Sequence, residues 1–416
     1  MKSRWLPGNK VKLLENGEEF YPAVFDAIRS AQSEVLIETF IIFEDKVGLE
    51  LKKVLVEAAQ RGVKINLLFD GFGTADLSIA YLDELSSVGI EVAAFDPSVR
   101  IFGRRFNVVR RMHRKLVTVD NRIAFCGGIN FSADHLEDFG PQGKQDYAVE
   151  LQGPIVSEIR AFMKSVLKRR TFKQVWKERR AWRRHRNIDS ALMGTAQAML
   201  VTRDNTHHHN DIERHYRAAI RAARKRVIIA NAYFFPGYRL LRELHRAARR
   251  GVDVQLILQG EPDVPMARSA AQWLYEYLRR GGVKIHEYCK RPVHAKVAIV
   301  DDEWATVGSS NLDPLSLSLN LEANVVLRDR EFNSFLTARL QHLIDNGCTE
   351  IEHWPQPRWG WLGQLRATLV FHFLRGFPSW VTLLPRHQPR LAPPVGSPEP
   401  VPQPTMIGET KTCHAR

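Results

Sequence analysis

Apolar residues along the chain fall into two alternating patterns, helical stripes and short unbroken runs. Phe20, Val24, Ala27, Ile28 and Ala31 share one face of a helix over 20–32. The run 35–43 is rich in apolar and β-branched residues and predicts a strand. Residues 49–60 are amphipathic again and stop at Arg61-Gly62, a helix terminator. A strand over 63–69 closes at Asp70-Gly71, a helix near 77–88 ends at Gly89, and a strand over 90–95 follows. Helices alternating with strands predict an α/β sheet.

The order then repeats. A helix over 212–224 precedes a strand over 226–235, and a helix over 240–249 ends at Arg250-Gly251. A strand over 252–258 closes at Gln259-Gly260, a helix over 267–280 stops at Gly281-Gly282, and a strand spans 283–288. Self-similarity on this scale predicts a duplicated domain. The expected fold is α/β (mixed α+β), with one composite site at a pseudo-two-fold axis between the copies. The expected division is a first domain over 1–160, a linker over 161–200 and a second domain over 201–350. An apolar segment over 351–385 and a Pro-rich tail over 386–416, expected to be disordered, complete it.

Each copy leads into the same motif. His113, Lys115 and Asp120 run on to Gly127-Gly128-Ile129-Asn130; His294, Lys296 and Asp301 run on to Gly308-Ser309-Ser310-Asn311. Both read H-x-K-x4-D-x6-G-[GS]-x-N, 181 residues apart. On a strand, residues two apart share a face, so His113 and Lys115 point the same way. Asp120, seven residues after His113, falls on the opposite face and opens a turn at Asp120-Asn121-Arg122. It reads as an anchor within the motif set. Gly127-Gly128 allows close backbone approach, which leaves Asn130 facing the site. One repeat alone is also consistent with a core histidine beside a snorkelling lysine; two complete repeats are not.

A His, a Lys and an Asn on one wall suit a phosphoryl group. With the copies facing each other, one histidine attacks phosphorus and the other serves the leaving oxygen. No Cys/His ligand spacing accompanies the motifs, so no metal or cofactor is expected and the lysines take the neutralising role. Asp146 and Glu322, 33 and 28 residues after the two histidines, are candidates for orienting the imidazoles. The other reading of each is an acid at a strand end.

The paired motif resembles that of the phospholipase D superfamily, complete in both copies. The order of features over about 10–350 is similar to the shorter bacterial cardiolipin synthases, the B-type branch without N-terminal membrane spans. Glu38-Thr39-Phe40, Tyr233-Phe234-Phe235-Pro236 and Leu312-Asp313-Pro314-Leu315-Ser316 carry the branch assignment. The resemblance implies two phospholipase D-like domains, each a mixed sheet flanked by helices. It implies a phosphatidyl transferase that makes cardiolipin and glycerol from two phosphatidylglycerol molecules. It also implies that His113 attacks, His294 protonates the departing glycerol, and Lys115, Lys296, Asn130 and Asn311 hold the phosphoryl oxygens. It supports Asp146 and Glu322 as the orienting carboxylates. A phosphodiesterase acting on nucleic acid is the alternative that the same motifs permit.

Composition narrows this choice. The 416 residues carry a net charge of +14, which calls for an anionic partner. Eleven bases against the single acid Glu178 crowd 164–186, interleaved with Phe172, Val175, Trp176 and Trp182. That pattern describes a helix on an anionic membrane, with a solvated linker or a nucleic-acid patch as the other readings. Trp, Phe and Leu crowd 359–385, interrupted by Arg366, His372, Arg375 and Pro378. The interruptions disfavour a span and favour an interfacial element or a helix packed on the fold. Anionic phospholipids (phosphatidylglycerol, cardiolipin) and a membrane surface are therefore the expected partners, with no nucleic acid. Peripheral attachment to the cytoplasmic face of a bacterial inner membrane is the expected location. The four scattered cysteines give no disulfide framework, and His207-His208-His209 reads as a solvated loop.

Overall fold

Strand β1 (Leu6–Glu15) pairs antiparallel with β10 (Ala196–Arg203), and this pair is the seam of one sixteen-stranded sheet. The computed structural model describes residues 3–96, 100–101, 104–105, 111–167, 191–205, 207–260, 274–351 and 391–392. On the first side of the seam lie β2 (Glu34–Thr39), β3 (Lys64–Asp70), β4 (Glu91–Phe95), β7 (Leu116–Val119), β8 (Ile123–Gly127) and β9 (Tyr147–Gln152). Two short strands, β5 (Arg100–Ile101) and β6 (Arg104–Arg105), pair with each other. On the other side lie β11 (Arg226–Asn231), β12 (Asp253–Gln259), β13 (Lys284–Tyr288), β14 (Lys296–Val300), β15 (Trp304–Gly308) and β16 (Glu322–Arg328). The outermost strands are β17 (Cys348–Glu350), on β13, and β18 (Leu391–Ala392), on β4.

Outward from the seam the order is β1-β9-β8-β7-β2-β3-β4 in one direction and β10-β16-β15-β14-β11-β12-β13 in the other. The duplication read from the sequence is thus a pseudo-two-fold relation across β1 and β10. In each half three strands run parallel, β2-β3-β4 and β11-β12-β13. Parallel neighbours need crossover connections, which helices Lys46–Gln60 and Tyr238–Arg249 supply between the first two strands of each set. Both helices hand over to the next strand through a left-handed glycine, Gly62 (φ 88°) and Gly251 (φ 89°).

The predicted strands 35–43 and 226–235 end early, at Thr39 and Asn231. Beyond those points the chain leaves the sheet to bridge the segments after each Gly-[Gly/Ser]-x-Asn, Ile42 to Phe131 and Phe234 to Leu312. Ile42, Ala232 and Phe234, which continue the apolar run there, are buried, whereas Phe43 and Tyr233 are exposed. Among the described residues three large apolar cores result, with a small cluster of Leu68, Phe95 and Met112 beside them. One belongs to each half, and the middle one joins Leu116, Val149 and Ile159 to Val297, Val325 and Leu340. Helices Pro154–Leu167 and Arg330–Gly347 contribute to that shared core, so the halves are fused through buried apolar surface.

Helix Pro154–Leu167 runs past the boundary expected at 160, and β10 begins at Ala196 rather than 201. Lys164, from the basic stretch, lies in that helix with Nζ 2.5 Å from Glu34 Oε1. Residues 168–186 and the apolar segment 359–385 lie outside the described residues. So does the expected disordered tail, apart from Leu391–Ala392, which pair with β4 instead. Cys126 is buried in β8, and His208 Nδ1 sits 2.6 Å from Asp211 Oδ2.

Candidate active site

His113 and Lys115 lie just before β7, and His294 and Lys296 at the start of β14. The residue before each histidine is fixed by the end of a parallel strand. Asp70 Oδ2, closing β3, accepts the Met112 N–H at 2.8 Å; Gln259 Oε1, closing β12, accepts the Val293 N–H at 2.5 Å. Each histidine backbone is also held by the opposite half. The His113 N–H donates to the Leu321 carbonyl at 2.9 Å, and the His294 N–H to the Gln145 carbonyl at 2.8 Å. These bonds place each motif against the carboxylate of the other copy.

The side chains complete that exchange. His113 Nδ1 lies 3.1 Å from Glu322 Oε2, and His294 Nδ1 lies 2.5 Å from Asp146 Oδ2. Both carboxylates are fully buried. Nδ1 being engaged on each ring, Nε2 is the nitrogen left for chemistry. Lys115 and Lys296 are buried on the same wall, their ammonium groups donating to the carbonyls of His113 and His294. Lys296 Nζ is also 3.9 Å from Asp146 Oδ2. Phe40 packs on His113 with ring centroids 4.9 Å apart, and Lys115 Nζ lies 5.2 Å over the same ring. Asn130 and Asn311 are buried at equivalent places, and their Oδ1 atoms have no hydrogen-bond partner among the described residues.

Burial sets the protonation states. It pushes the Lys115 ammonium down to about 7 and Lys296 to about 8, with repulsion from Lys296 adding to the first and repulsion from Lys144 to the second. Burial lowers His113, against the pull of Glu322, and lowers His294 well below 6.5, helped by Lys296. Burial also raises Asp146, to about 6. For Glu322 burial acts upward too, but His113, the Ser309 hydroxyl and Lys115 outweigh it and leave the group below its ordinary value. Burial thus disfavours the charged forms of the basic groups gathered here, and a phosphodiester anion beside them would favour those forms again.

Asp120 and Asp301 are the exceptions within the motif set and do not belong with the groups that face the site. Asp120 accepts the backbone N–H groups of Gln32, Ser33 and Glu34; Asp301 accepts those of Arg224, Lys225 and Arg226. Both have φ of 53°. They clamp the turn after β7 or β14 to the strand beside it, as strand parity indicates for Asp120. Gly128 also has a definite reason: a Cβ there would stand 2.4 Å from Asp146 Oδ1.

Sequence reasoning passed over Asp70, Gln259, Ser309 and His135. The first two close strands before a glycine in both copies, a signal that could have been matched across the repeat. Ser309 was legible only as a small residue, yet its hydroxyl donates to Glu322 Oε2 at 2.5 Å. His135 brings a third donor atom to Asp146 and His294, all within 4.8 Å of one another. The Lys296 ammonium already supplies the cation at that carboxylate, so the cluster reads as a hydrogen-bonded group rather than a metal cradle.

A duplicated sheet that presents two His–Lys pairs to one site defines a phospholipase D-like enzyme of the phosphatidyltransferase class. The family model described as "Cardiolipin synthase, PLD-like domain" matches residues 24–167 and 216–344, and the chain belongs to that family. It is 53% identical to cardiolipin synthase B of Salmonella typhi, covering 96% of each chain. It is also 53% identical to cardiolipin synthase B of Escherichia coli strain K12, over 98% of this chain and 96% of that one. Cardiolipin synthase A of Pseudomonas syringae is 33% identical over 80% of this chain and 68% of its own. Among solved structures, the phosphatidylserine synthase of Haemophilus influenzae shares the fold, with a TM-score of 0.66 at 15% identity over 92% of this chain and 97% of that one.

Proposed function

We propose that the protein joins two phosphatidylglycerol molecules into cardiolipin and releases glycerol. The observation that carries this reading is the reciprocal pairing of His113 with Glu322 and of His294 with Asp146 around one site. The relatives named cardiolipin synthase B, 53% identical over nearly the whole chain, direct it to this substrate. His113 Nε2 attacks phosphorus and the P–O bond to glycerol breaks, while His294 Nε2 gives its proton to the leaving oxygen. The hydroxyl of the second phosphatidylglycerol then attacks phosphorus, the P–N bond breaks, and His294 takes the hydroxyl proton. Lys115, Lys296, Asn130 and Asn311 hold the phosphoryl oxygens. Ionised Glu322 stabilises the cationic phosphoimidazolium on His113.

The proposed setting is the cytoplasmic face of a membrane, attached peripherally through 164–186 and 359–385. No helix among the described residues is long and apolar enough to cross a bilayer. The test is purified protein with vesicles of labelled phosphatidylglycerol, the products resolved by mass spectrometry. Cardiolipin and glycerol in equal amounts are expected. Phosphatidic acid as the main product would make the protein a hydrolase, and inert phosphatidylglycerol would overturn the substrate.

A further inference from the structure

The two histidine–carboxylate pairs share a plan but not their third partner. Glu322 is steadied by the Ser309 hydroxyl at 2.5 Å. The equivalent of Ser309 in the first motif is Gly128, where a Cβ would stand 2.4 Å from Asp146 Oδ1. No hydroxyl can occupy that seat, so Asp146 lacks the donor that Glu322 has. What stands beside it is His135. Its side chain is fully buried, and its ring meets His294 edge-on at 5.4 Å between centroids. The His135 position corresponds in the repeat to Ser316, so the feature exists on one side only.

The ring's two nitrogens are distinguishable. Nε2 accepts the Asn130 N–H at 3.3 Å. An accepting Nε2 puts the proton of a neutral imidazole on Nδ1. Nδ1 is buried without a hydrogen-bond partner and lies 3.9 Å from Asp146 Oδ2. Burial, together with the charges of Lys144, Lys296 and Lys115, keeps the ring neutral against the opposing pull of Asp134, whose Oδ1 is 3.7 Å from Nε2. His135 is therefore a fixed donor and not a proton carrier. A shift of about 1 Å turns the Nδ1–Asp146 approach into a hydrogen bond.

We propose that His135 is a positioning residue for the reaction, its Nδ1–H steadying the Asp146 carboxylate that orients His294 while its Nε2 holds the backbone of Asn130. This rests on the reading of His294 as the proton carrier. When His294 takes up a proton, Asp146 must stay ionised and leave that proton on the ring. A further donor on the carboxylate, added to His294 and to the Tyr147 N–H at 2.8 Å, makes it a weaker base and keeps the proton where the leaving oxygen can take it. One ring thus links the acid to the loop that bears a phosphate-binding amide.

The test separates the two nitrogens. In His135→Asn the amide nitrogen falls near Nδ1 and retains a donor for Asp146. In His135→Gln the amide reaches the Nε2 position, so the contact to Asn130 can be kept and the donor to Asp146 is lost. With phosphatidylglycerol, the Gln variant should lose about 10- to 100-fold in kcat, part of what a general acid contributes. Its KM should stay within about twofold of wild type, and the acid limb of its pH profile should move up as Asp146 becomes more basic. The Asn variant should keep the wild-type profile. With p-nitrophenyl phosphatidate, whose leaving group needs no proton, the first-turnover burst of the Gln variant should match wild type. Equal losses on both donors with unmoved pH profiles would reduce His135 to a packing residue and overturn the proposal. So would a normal kcat in the Gln variant. If wild type leaves phosphatidylglycerol untouched, the substrate reading fails, while the burst and pH profile on the nitrophenyl donor still decide the role of His135.

Discussion

Asp146 and His294 stand 148 residues apart in different copies of the repeat, yet Oδ2 and Nδ1 meet at 2.5 Å. His113 and Glu322 make the same exchange in the other direction at 3.1 Å. Neither half contains a complete histidine–carboxylate pair, so a single copy of the domain is not a functional unit. Removing the charge from either acceptor should leave the histidine present but free to adopt the wrong tautomer. Asp146→Asn and Glu322→Gln should each cost about 10²–10⁴ in kcat with little change in KM. Equal falls in melting temperature and activity would instead mark the carboxylates as structural.

The buried cations predict a pH dependence with a definite sign. Asp146 at about 6 must be ionised, and Lys115 at about 7 and Lys296 at about 8 must be protonated, for the free protein to receive an anion. The kcat/KM profile should therefore fall below about 6 and again above about 7, more steeply beyond about 8, with KM rising on the alkaline side. Bound phosphate raises the lysine values, so the alkaline limb of kcat should lie higher than that of kcat/KM. Superimposable limbs would show that substrate does not touch the lysines.

The same lysine makes a stability prediction. Folding lowers Lys115 from its ordinary 10.5 to about 7, so below pH 7 the protonated amine is buried at full cost. That cost is relieved as pH rises from about 7 towards 10.5. Lys115→Met should raise the melting temperature at pH 6 while abolishing turnover, and the gain should shrink by pH 10. A stabilisation that does not change with pH would come from packing and not from the charge.

Much of this was legible, and the remainder has physical reasons for having been hidden. Strand period two placed His113 beside Lys115 and turned Asp120 away, because alternation is local and survives any tertiary context. The glycine stops at Gly62 and Gly251 were local for the same reason. Asp146 and Glu322 were legible as orienting carboxylates, but not which histidine each meets, since they reach the rings only after the two halves close across the seam. The seam strands themselves escaped, as β1 and β10 have mixed burial with no clean alternation. Strand ends were overextended because Phe40 to Phe43 and Ala232 to Phe235 stay apolar after the strands have ended at Thr39 and Asn231.

Asp120 should be a folding residue. Its carboxylate accepts three consecutive backbone N–H groups and the Ser33 hydroxyl, and those contacts hold β2 against the turn after β7. Asp120→Asn keeps one acceptor oxygen and loses the charge, and should lower stability by about 2 kcal/mol. Soluble material should turn over at close to the wild-type rate. Unchanged melting with no activity would return Asp120 to the chemistry.

A transferase that exchanges glycerol for a second lipid must hold the phosphatidyl group between the two, and His113 Nε2 is the atom proposed to hold it. The geometry limits the alternatives, because Nδ1 is committed to Glu322 and the Ser309 carbonyl, each at 3.1 Å. A covalent route divides the exchange into two displacements. Phosphorus inverts in each, so its configuration should be retained overall. The adduct should be acid-labile, as phosphoramidates are, and should bear its label on residue 113. It should accumulate in His294→Asn with a p-nitrophenyl donor, which leaves without a proton, and not with phosphatidylglycerol, which needs one. Mass-spectrometric mapping of the trapped protein decides the assignment. Label on His294 in the wild-type protein would exchange the two roles, and net inversion at phosphorus would remove the covalent step.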